Sequence, residues 1–283
     1  MRIGGEKNMN SNITPQVLVD FYSKLSQLLL PEESIIFAPP GPQMISYGQE
    51  NKIPLLNICS PQVNASYFFI LLEKVSEIII DHYPYLKNEC RQILSALPVE
   101  ISERELFVDN VFKPGVNLLA LLKNDVSSET FGFLITHTVK PLMRQFGKIA
   151  SPVYDLEEWM KGSCPVCGGR PSLSLLEKEV GRRYLYCGLC EVKWRFQRIG
   201  CPYCANPESQ FLRAEGEEKY RIYYCENCSG YIKTIDERKM EGTADLFWED
   251  INTVYLDILA LREGYINIQP ELPLSDLKQN ETG

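Results

Sequence analysis

The chain has 283 residues, 45% hydrophobic and 23% charged, with a formal net charge of −8. That is room for a sizeable core and about two domains of the soluble globular kind, and the acidic balance argues against a molecule built as a whole for nucleic acid or an acidic membrane. No window approaches ~18 uninterrupted apolar residues, so no membrane insertion is expected, and residues 1–12, polar and Gly/Asn-rich, lack the apolar core of a signal peptide.

The first helix is expected from Thr14-Pro15, an N-cap followed by Pro at the first helical position. Leu18, Phe21, Tyr22, Leu25, Leu28 and Leu29 keep the 3.6 period, and Pro31 ends it. Residues 31–61, with Pro39-Pro40-Gly41-Pro42, read as a long irregular loop. Ala65 to His82 is a strong helix with Phe68, Leu72, Val75 and Ile79 on one face and Phe69, Leu71, Ile78 and Ile80 widening it, as in a central helix. After Pro84, Leu86, Cys90, Ile93, Leu94 and Leu97 mark another. Ser102 with Glu105 spells a capping box for a helix through Val111. A short helix over Leu118 to Leu122 follows, then one capped by Ser128 and kinked at Pro141. The sum is an all-α region that ends in a linker near Ser151-Pro152.

Residues 164–228 differ in kind. Four Cys-x-x-Cys pairs, Cys164/Cys167, Cys187/Cys190, Cys201/Cys204 and Cys225/Cys228, hold eight of the ten cysteines. Nineteen, ten and twenty residues separate successive pairs, so the stretch reads as two copies of one unit. Each copy opens on Cys-Pro-x-Cys and closes on an aromatic strand, Tyr184-Leu185-Tyr186-Cys187 or Ile222-Tyr223-Tyr224-Cys225. Two residues between cysteines let a tight turn aim both sulfurs at one point, and two such turns supply the corners of a tetrahedron. Binding free energy then becomes folding free energy, which a unit of about 35 residues needs because its own core is small. The alternative partition, Cys187/Cys190 with Cys201/Cys204, has a short loop and leaves the outer pairs distant. A disulfide framework would need an oxidising compartment, and a thioredoxin-like site needs a single pair in a βαβ unit; eight thiols kept for metal fit a reducing cytosol. Zinc and iron both suit such ligands.

From Lys161 to Gly200, eight Lys/Arg face three Glu, a formal +5 that metal-bound thiolates reduce. Arg182, Arg183, Tyr184, Trp194 and Arg195 could form an exposed Arg/aromatic surface for a partner. Such surfaces serve proteins or single-stranded nucleic acid, and the acidic whole favours protein; ordinary hairpin packing is the bland account of the aromatics. Cys90, on an apolar helical face, reads as core; Cys59 lies in a loop. His82 and His137, the only histidines, lack ligand partners at helical spacing and read as packing or capping groups. No Ser/His/Asp constellation, carboxylate pair or phosphate loop stands out, so nothing points to an enzyme. After Thr243, Phe247, Ile251, Val254, Ile258 and Leu261 recur at helical spacing up to Gly264. This helix is expected to pack back on the helical domain.

From about Phe133 to Tyr265 the chain resembles the FdhE family of formate dehydrogenase accessory proteins. The likeness is carried by Cys164-Pro165-Val166-Cys167-Gly168, by Gly181-Arg182-Arg183-Tyr184-Leu185-Tyr186-Cys187-Gly188-Leu189-Cys190 with Trp194 and Arg195, and by Cys201-Pro202-Tyr203-Cys204. Cys225-Glu226-Asn227-Cys228, Tyr231-Ile232-Lys233, Asp250, Asp257 and Gly264-Tyr265 extend it. Glu249-Asp250-Ile251 stands where the family more often has Asp-Asp-Leu. The resemblance implies a cytoplasmic, non-catalytic assembly factor that binds the catalytic subunit of a respiratory formate dehydrogenase, with rubredoxin-like centres associated with iron. Two other classes stay open on the residues themselves, a zinc-ribbon nucleic-acid binder and a rubredoxin-like electron carrier.

The expected fold class is α+β: an all-α N-terminal domain and two tandem rubredoxin-like ribbons. In segments, the expectation is a disordered 1–12, a helical domain over 13–155, metal ribbons over 160–198 and 199–238, a C-terminal helix over 243–265 and a flexible tail over 266–283.

Overall fold

The computed structural model describes residues 15–113, 116–213 and 217–268. The expected disordered N-terminus, Thr14 and most of the expected tail lie outside these residues. The chain forms two compact units, each assembled from separate stretches: 20–38 with 60–146, and 39–59 with 147–268 and the described residues before 20. The fold is α+β.

The first unit is helical. Helix α1 (Gln16–Ser26) gives it Phe21 and Leu25, both buried. A two-residue pair, β1 (Ile35–Ile36) and β2 (Gln62–Val63), runs antiparallel with Ile35 opposite Val63. The central helix is α3 (Ala65–His82), bounded as its periodicity predicts. Asn64 caps it by accepting from the Ser66 N–H at 3.0 Å, and Phe68, Leu71, Leu72, Val75 and Ile79 are buried. Next come α4 (Lys87–Ala96), with Cys90 in the core as expected, α5 (Ile101–Val111), and α6 (Ser128–Ala150), which runs on through Pro141. Two sequence caps are displaced. Ser102 lies inside α5, which starts after Glu100 with no side-chain cap, so the expected capping box does not form. At α6 the capping oxygen is that of Ser127, which accepts from the Thr130 N–H at 3.3 Å. His137 sits edge-on to Phe21 and Phe133, with ring centroids 5.1 and 4.6 Å away. Burial, helped by nearby Lys140, takes its pKa down to about 3, so it is neutral packing material.

The second unit is built on one six-stranded sheet. Strands β3 (Leu173–Leu176), β4 (Arg183–Tyr186) and β5 (Lys193–Phe196) form one antiparallel trio. β6 (Gln210–Leu212), β7 (Tyr220–Tyr224) and β8 (Tyr231–Asp236) form the other. The order is β5-β4-β3-β8-β7-β6, with β3 and β8 parallel and Leu173 opposite Lys233. The two ribbon repeats are thus fused edge to edge, which gives each small repeat the core it lacks alone.

Strand alternation sorts the side chains. Leu173, Leu175, Tyr186, Tyr220, Ile222, Tyr224, Tyr231 and Ile235 make one apolar face, covered by Leu256 and Ala260. The covering elements are α7 (Leu246–Asn252) and α8 (Val254–Arg262), broken at Thr253 where one helix was expected. The C-terminal helices therefore pack on the sheet, where packing on the helical domain was expected. The physical reason is that the fused sheet, unlike a lone metal ribbon, offers a broad aromatic surface. Lys233, buried on that face, fixes them by ion pairs to Asp250 at 2.8 Å and Asp257 at 2.9 Å. Residues 31–61 are also more ordered than expected. Pro42 opens a helix, α2 (Pro42–Asn51), because Pro at the first helical position starts a helix as readily as it stops one.

Candidate metal centres

Each Cys-x-x-Cys turn is built the same way. The N–H of its first cysteine donates to a carbonyl five residues on: Cys164 to Gly169, Cys187 to Val192, Cys201 to Asn206 and Cys225 to Gly230, at 2.7 to 3.0 Å. The residue after the second cysteine is left-handed in all four, at Gly168, Glu191, Ala205 and Ser229 with φ between 55 and 76°. Only Gly168 adopts this conformation without strain. This backbone leaves both sulfurs of a turn pointing into one space.

The sulfurs gather in two groups, Cys164, Cys167, Cys187 and Cys190 in one, and Cys201, Cys204, Cys225 and Cys228 in the other, all within 4.8 Å of one another in each. The pairs are taken in chain order, and the alternative partition is absent. Cys164 and Cys190 are 3.4 Å apart, as are Cys167 and Cys187; Cys201 and Cys228, and Cys204 and Cys225, are 3.6 Å apart. A tetrahedron with metal–sulfur bonds of about 2.3 Å has edges of about 3.8 Å, so either group fits a tetrathiolate ion. Among the described residues no cysteine forms a disulfide, and Cys59 and Cys90 belong to neither group.

The thiols also need a cation. In the first group, hydrogen bonds to Cys164 and Cys187 push Cys167 far up, burial pushes Cys190 far up, and hydrogen bonds from Cys164, Cys167 and Cys190 push Cys187 far down. In the second, burial raises Cys201 and Cys228. Cys204, despite the opposing effect of burial, is brought down to about 6 by hydrogen bonds from the Asn227 side chain and the Asn206 backbone. Crowded thiols share protons in this way, and a divalent ion lets all four ionise. Zinc would supply a redox-inert corner there and iron a one-electron couple.

Contacts around the first group are close. The Leu55 and Leu56 N–H groups donate to the Pro165 and Val166 carbonyls, both at 2.9 Å. Gly147 lies so near that a Cβ there would meet the Cys190 carbonyl, and one at Gly162 would meet the Pro202 carbonyl of the second group. Around the second group, Asn206 and Asn227 donate to the sulfurs of Cys225 and Cys204 at 3.7 and 3.5 Å. None of these supporting residues was singled out from the sequence. The asparagines beside cysteine pairs were the available signal, since an amide donor there meets a thiolate.

The expected exposed Arg/aromatic surface is only partly present. Arg182 is exposed, and Tyr184 and Arg195 are half-buried, with Tyr184 donating to Glu157 at 3.1 Å. Arg183 and Trp194 are buried, a correction that strand alternation explains: both point to the sheet face opposite Tyr184. Trp194 donates to the Lys161 carbonyl at 2.7 Å.

The family model described as "FdhE, central domain" matches residues 163–198, which contain the whole first group and β3 to β5. In this stretch the chain is similar to the FdhE family. A "Protein FdhE homolog" of Aquifex aeolicus is 34% identical over 156 residues, 53% of this chain and 54% of that one, so the match spans about half of that relative's length. The FdhE homolog of Shewanella sp. strain MR-4 is 22% identical over 88% of this chain and 80% of its own. The crystal structure of the FdhE protein from Pseudomonas aeruginosa shares the fold, with a TM-score of 0.54 at 19% identity over 92% of this chain and 86% of that one. Among the described residues no helix is long and apolar enough to cross a membrane.

Proposed function

We propose that this chain is an FdhE-like, non-catalytic accessory protein for the maturation of a respiratory formate dehydrogenase, acting in the cytoplasm on the enzyme's catalytic subunit. Two metal ions, zinc or iron, are held by Cys164, Cys167, Cys187 and Cys190 and by Cys201, Cys204, Cys225 and Cys228. The observation that carries the reading is that the family's central domain coincides with the stretch that encloses a complete four-sulfur group. The ions keep the fused sheet folded. Arg182, Tyr184 and Arg195 contribute to the client surface from its accessible side, and the burial of Arg183 and Trp194 leaves too small a basic and aromatic face for nucleic acid.

The test is formate dehydrogenase activity in cells lacking this protein, measured beside the amount of catalytic subunit. Activity lost with the subunit still present is the expected result. Unchanged activity would overturn the client assignment. Metal analysis of the purified chain then separates colourless zinc centres from coloured iron ones.

A further inference from the structure

Arg183 is the least easily explained residue in the sheet. It belongs by sequence to the first repeat, on β4, four residues before Cys187, yet its side chain serves the second. It is 0% exposed. Its Nε donates to Ser174 Oγ and its Nη1 to the carbonyl of Gly200, the residue before Cys201, both at 2.9 Å. The guanidinium carbon lies 5.0 Å from the Tyr223 ring centroid and 5.6 Å from that of Phe196. With Cys201, Tyr203 and Cys225 it lines a cavity that has room for about one water. Among the described residues Nη2 has no hydrogen-bond partner.

Internal symmetry makes the exception plain. Arg221 holds the same place in the second repeat, four residues before Cys225, and is ion-paired to buried Asp236. Buried Lys233 has two carboxylates. Among the described residues Arg183 has none. A buried guanidinium without an anion costs several kcal/mol, and the cavity Arg183 lines brings it together with Cys201 and Cys225, two cysteines of the second sulfur group. Four thiolates around a divalent ion leave two negative charges, which cation–π contacts and one carbonyl do not replace.

We propose that Arg183 is the buried counter-charge of the second four-cysteine site, lent to it by a strand of the first. This rests on the reading that the site holds a metal ion. It makes the two centres unequal: the second is tuned toward the more negative thiolate state and depends on the integrity of β4. Arg183 is a positioning and tuning residue and not a ligand.

The test uses the full chain loaded with cobalt(II), whose absorption reports tetrathiolate coordination, titrated with a chelator. Alkylation and mass spectrometry identify which cysteines are released. In Arg183→Met the second site loses cobalt at roughly 10–100-fold lower chelator strength, the usual cost of removing an outer-shell partner, and the first site is unchanged. Arg183→Lys, which keeps the charge and not the fork, restores most of the retention; it also carries the test should Arg183→Met not fold. Equal weakening of both sites, an unaffected second site, or a Lys variant as poor as Met would overturn the inference alone. A wild-type chain that takes up no metal at Cys201, Cys204, Cys225 and Cys228 would overturn the metal reading and this inference with it.

Discussion

At the first four-cysteine group Cys164, Cys187 and Cys190 are buried, and Cys167 is half-buried; at the second, Cys201 and Cys225 are buried, and Cys204 and Cys228 are half-buried. The first is held from outside by backbone, through Leu55, Leu56 and the close approach of Gly147. The sulfurs of the first accept backbone N–H groups of Gly169, at 3.4 Å, and Cys190, whereas those of the second accept from the backbone of Tyr203, Cys204, Asn206 and Gly230 and from the side chains of Asn206 and Asn227. One ligand pattern has thus been given two surroundings, the first closed and mechanically tied, the second more open and richer in positive dipoles. The difference teaches that Cys-x-x-Cys spacing specifies coordination, while shielding and electrostatics come from residues far away in sequence.

The largest expected effects come from removing a ligand. A structural tetrathiolate ion contributes about 10–16 kcal/mol of apparent binding free energy. Cys167→Ser and Cys204→Ser should each lose one of two metal equivalents. If the first site is the better integrated, Cys167→Ser also releases the 54–58 backbone and lowers the thermal transition more than Cys204→Ser does. Metal content and calorimetry of the two variants check this, and a larger loss for Cys204→Ser would invert the comparison.

Asp236 sharpens it through the Arg221 pair, the counterpart of the Arg183 site. Burial works to raise the Asp236 pKa, but hydrogen bonds from Arg238 and the charges of Arg221 and Arg238 hold it below its ordinary 3.8. A depressed carboxylate stabilises the fold above its unfolded pKa and stops doing so as pH falls through the lower folded value. Asp236→Asn should therefore cost about 3–5 kcal/mol at neutral pH by leaving Arg221 buried and unpaired. The gap to wild type in urea melts should narrow as pH drops below 3.8, whatever metal both chains lose to acid. A pH-independent gap would show that packing and not charge sets it. A smaller effect is expected at Gly162, where a methyl meets the Pro202 carbonyl. Gly162→Ala should cost about 1–3 kcal/mol, the usual range for overpacking. It should loosen the second site, seen as faster alkylation of Cys204, more than the first.

Much of this was legible in the sequence because the signals are local. The paired cysteines, the period of α3 and the aromatic strands each follow from residues within a turn or two. What was not legible is long-range. The parallel β3–β8 junction depends on two strands some sixty residues apart that carry no mark of their pairing. It is this junction that turns two ribbons into one sheet and draws α7 and α8 onto it. Arg183 and Trp194 were assigned to an exposed surface because composition does not say which way a strand alternates. The register, Arg183 opposite Phe196 and Leu185 opposite Trp194, shows that they share the buried face opposite Tyr184. Pro42 was read as a breaker because the same residue marks both ends of helices.

The smallest expected effect tests the turns themselves. Four knuckles demand a left-handed residue, and one supplies glycine. A Cβ in this region costs about 1–2 kcal/mol, whereas glycine costs about 0.4–1 kcal/mol through the greater freedom of the unfolded chain. Gly168→Ala should therefore destabilise the first site by up to about 1.5 kcal/mol, and Ala205→Gly should stabilise the second by a similar amount or less. The signs are opposite because the backbone is the same and only the occupant differs. Chelator titration at each site reads both. Were Ala205→Gly to weaken the second site, the methyl of Ala205 would have to be making contacts worth more than the strain it bears, and the knuckles would not be equivalent at the level of backbone.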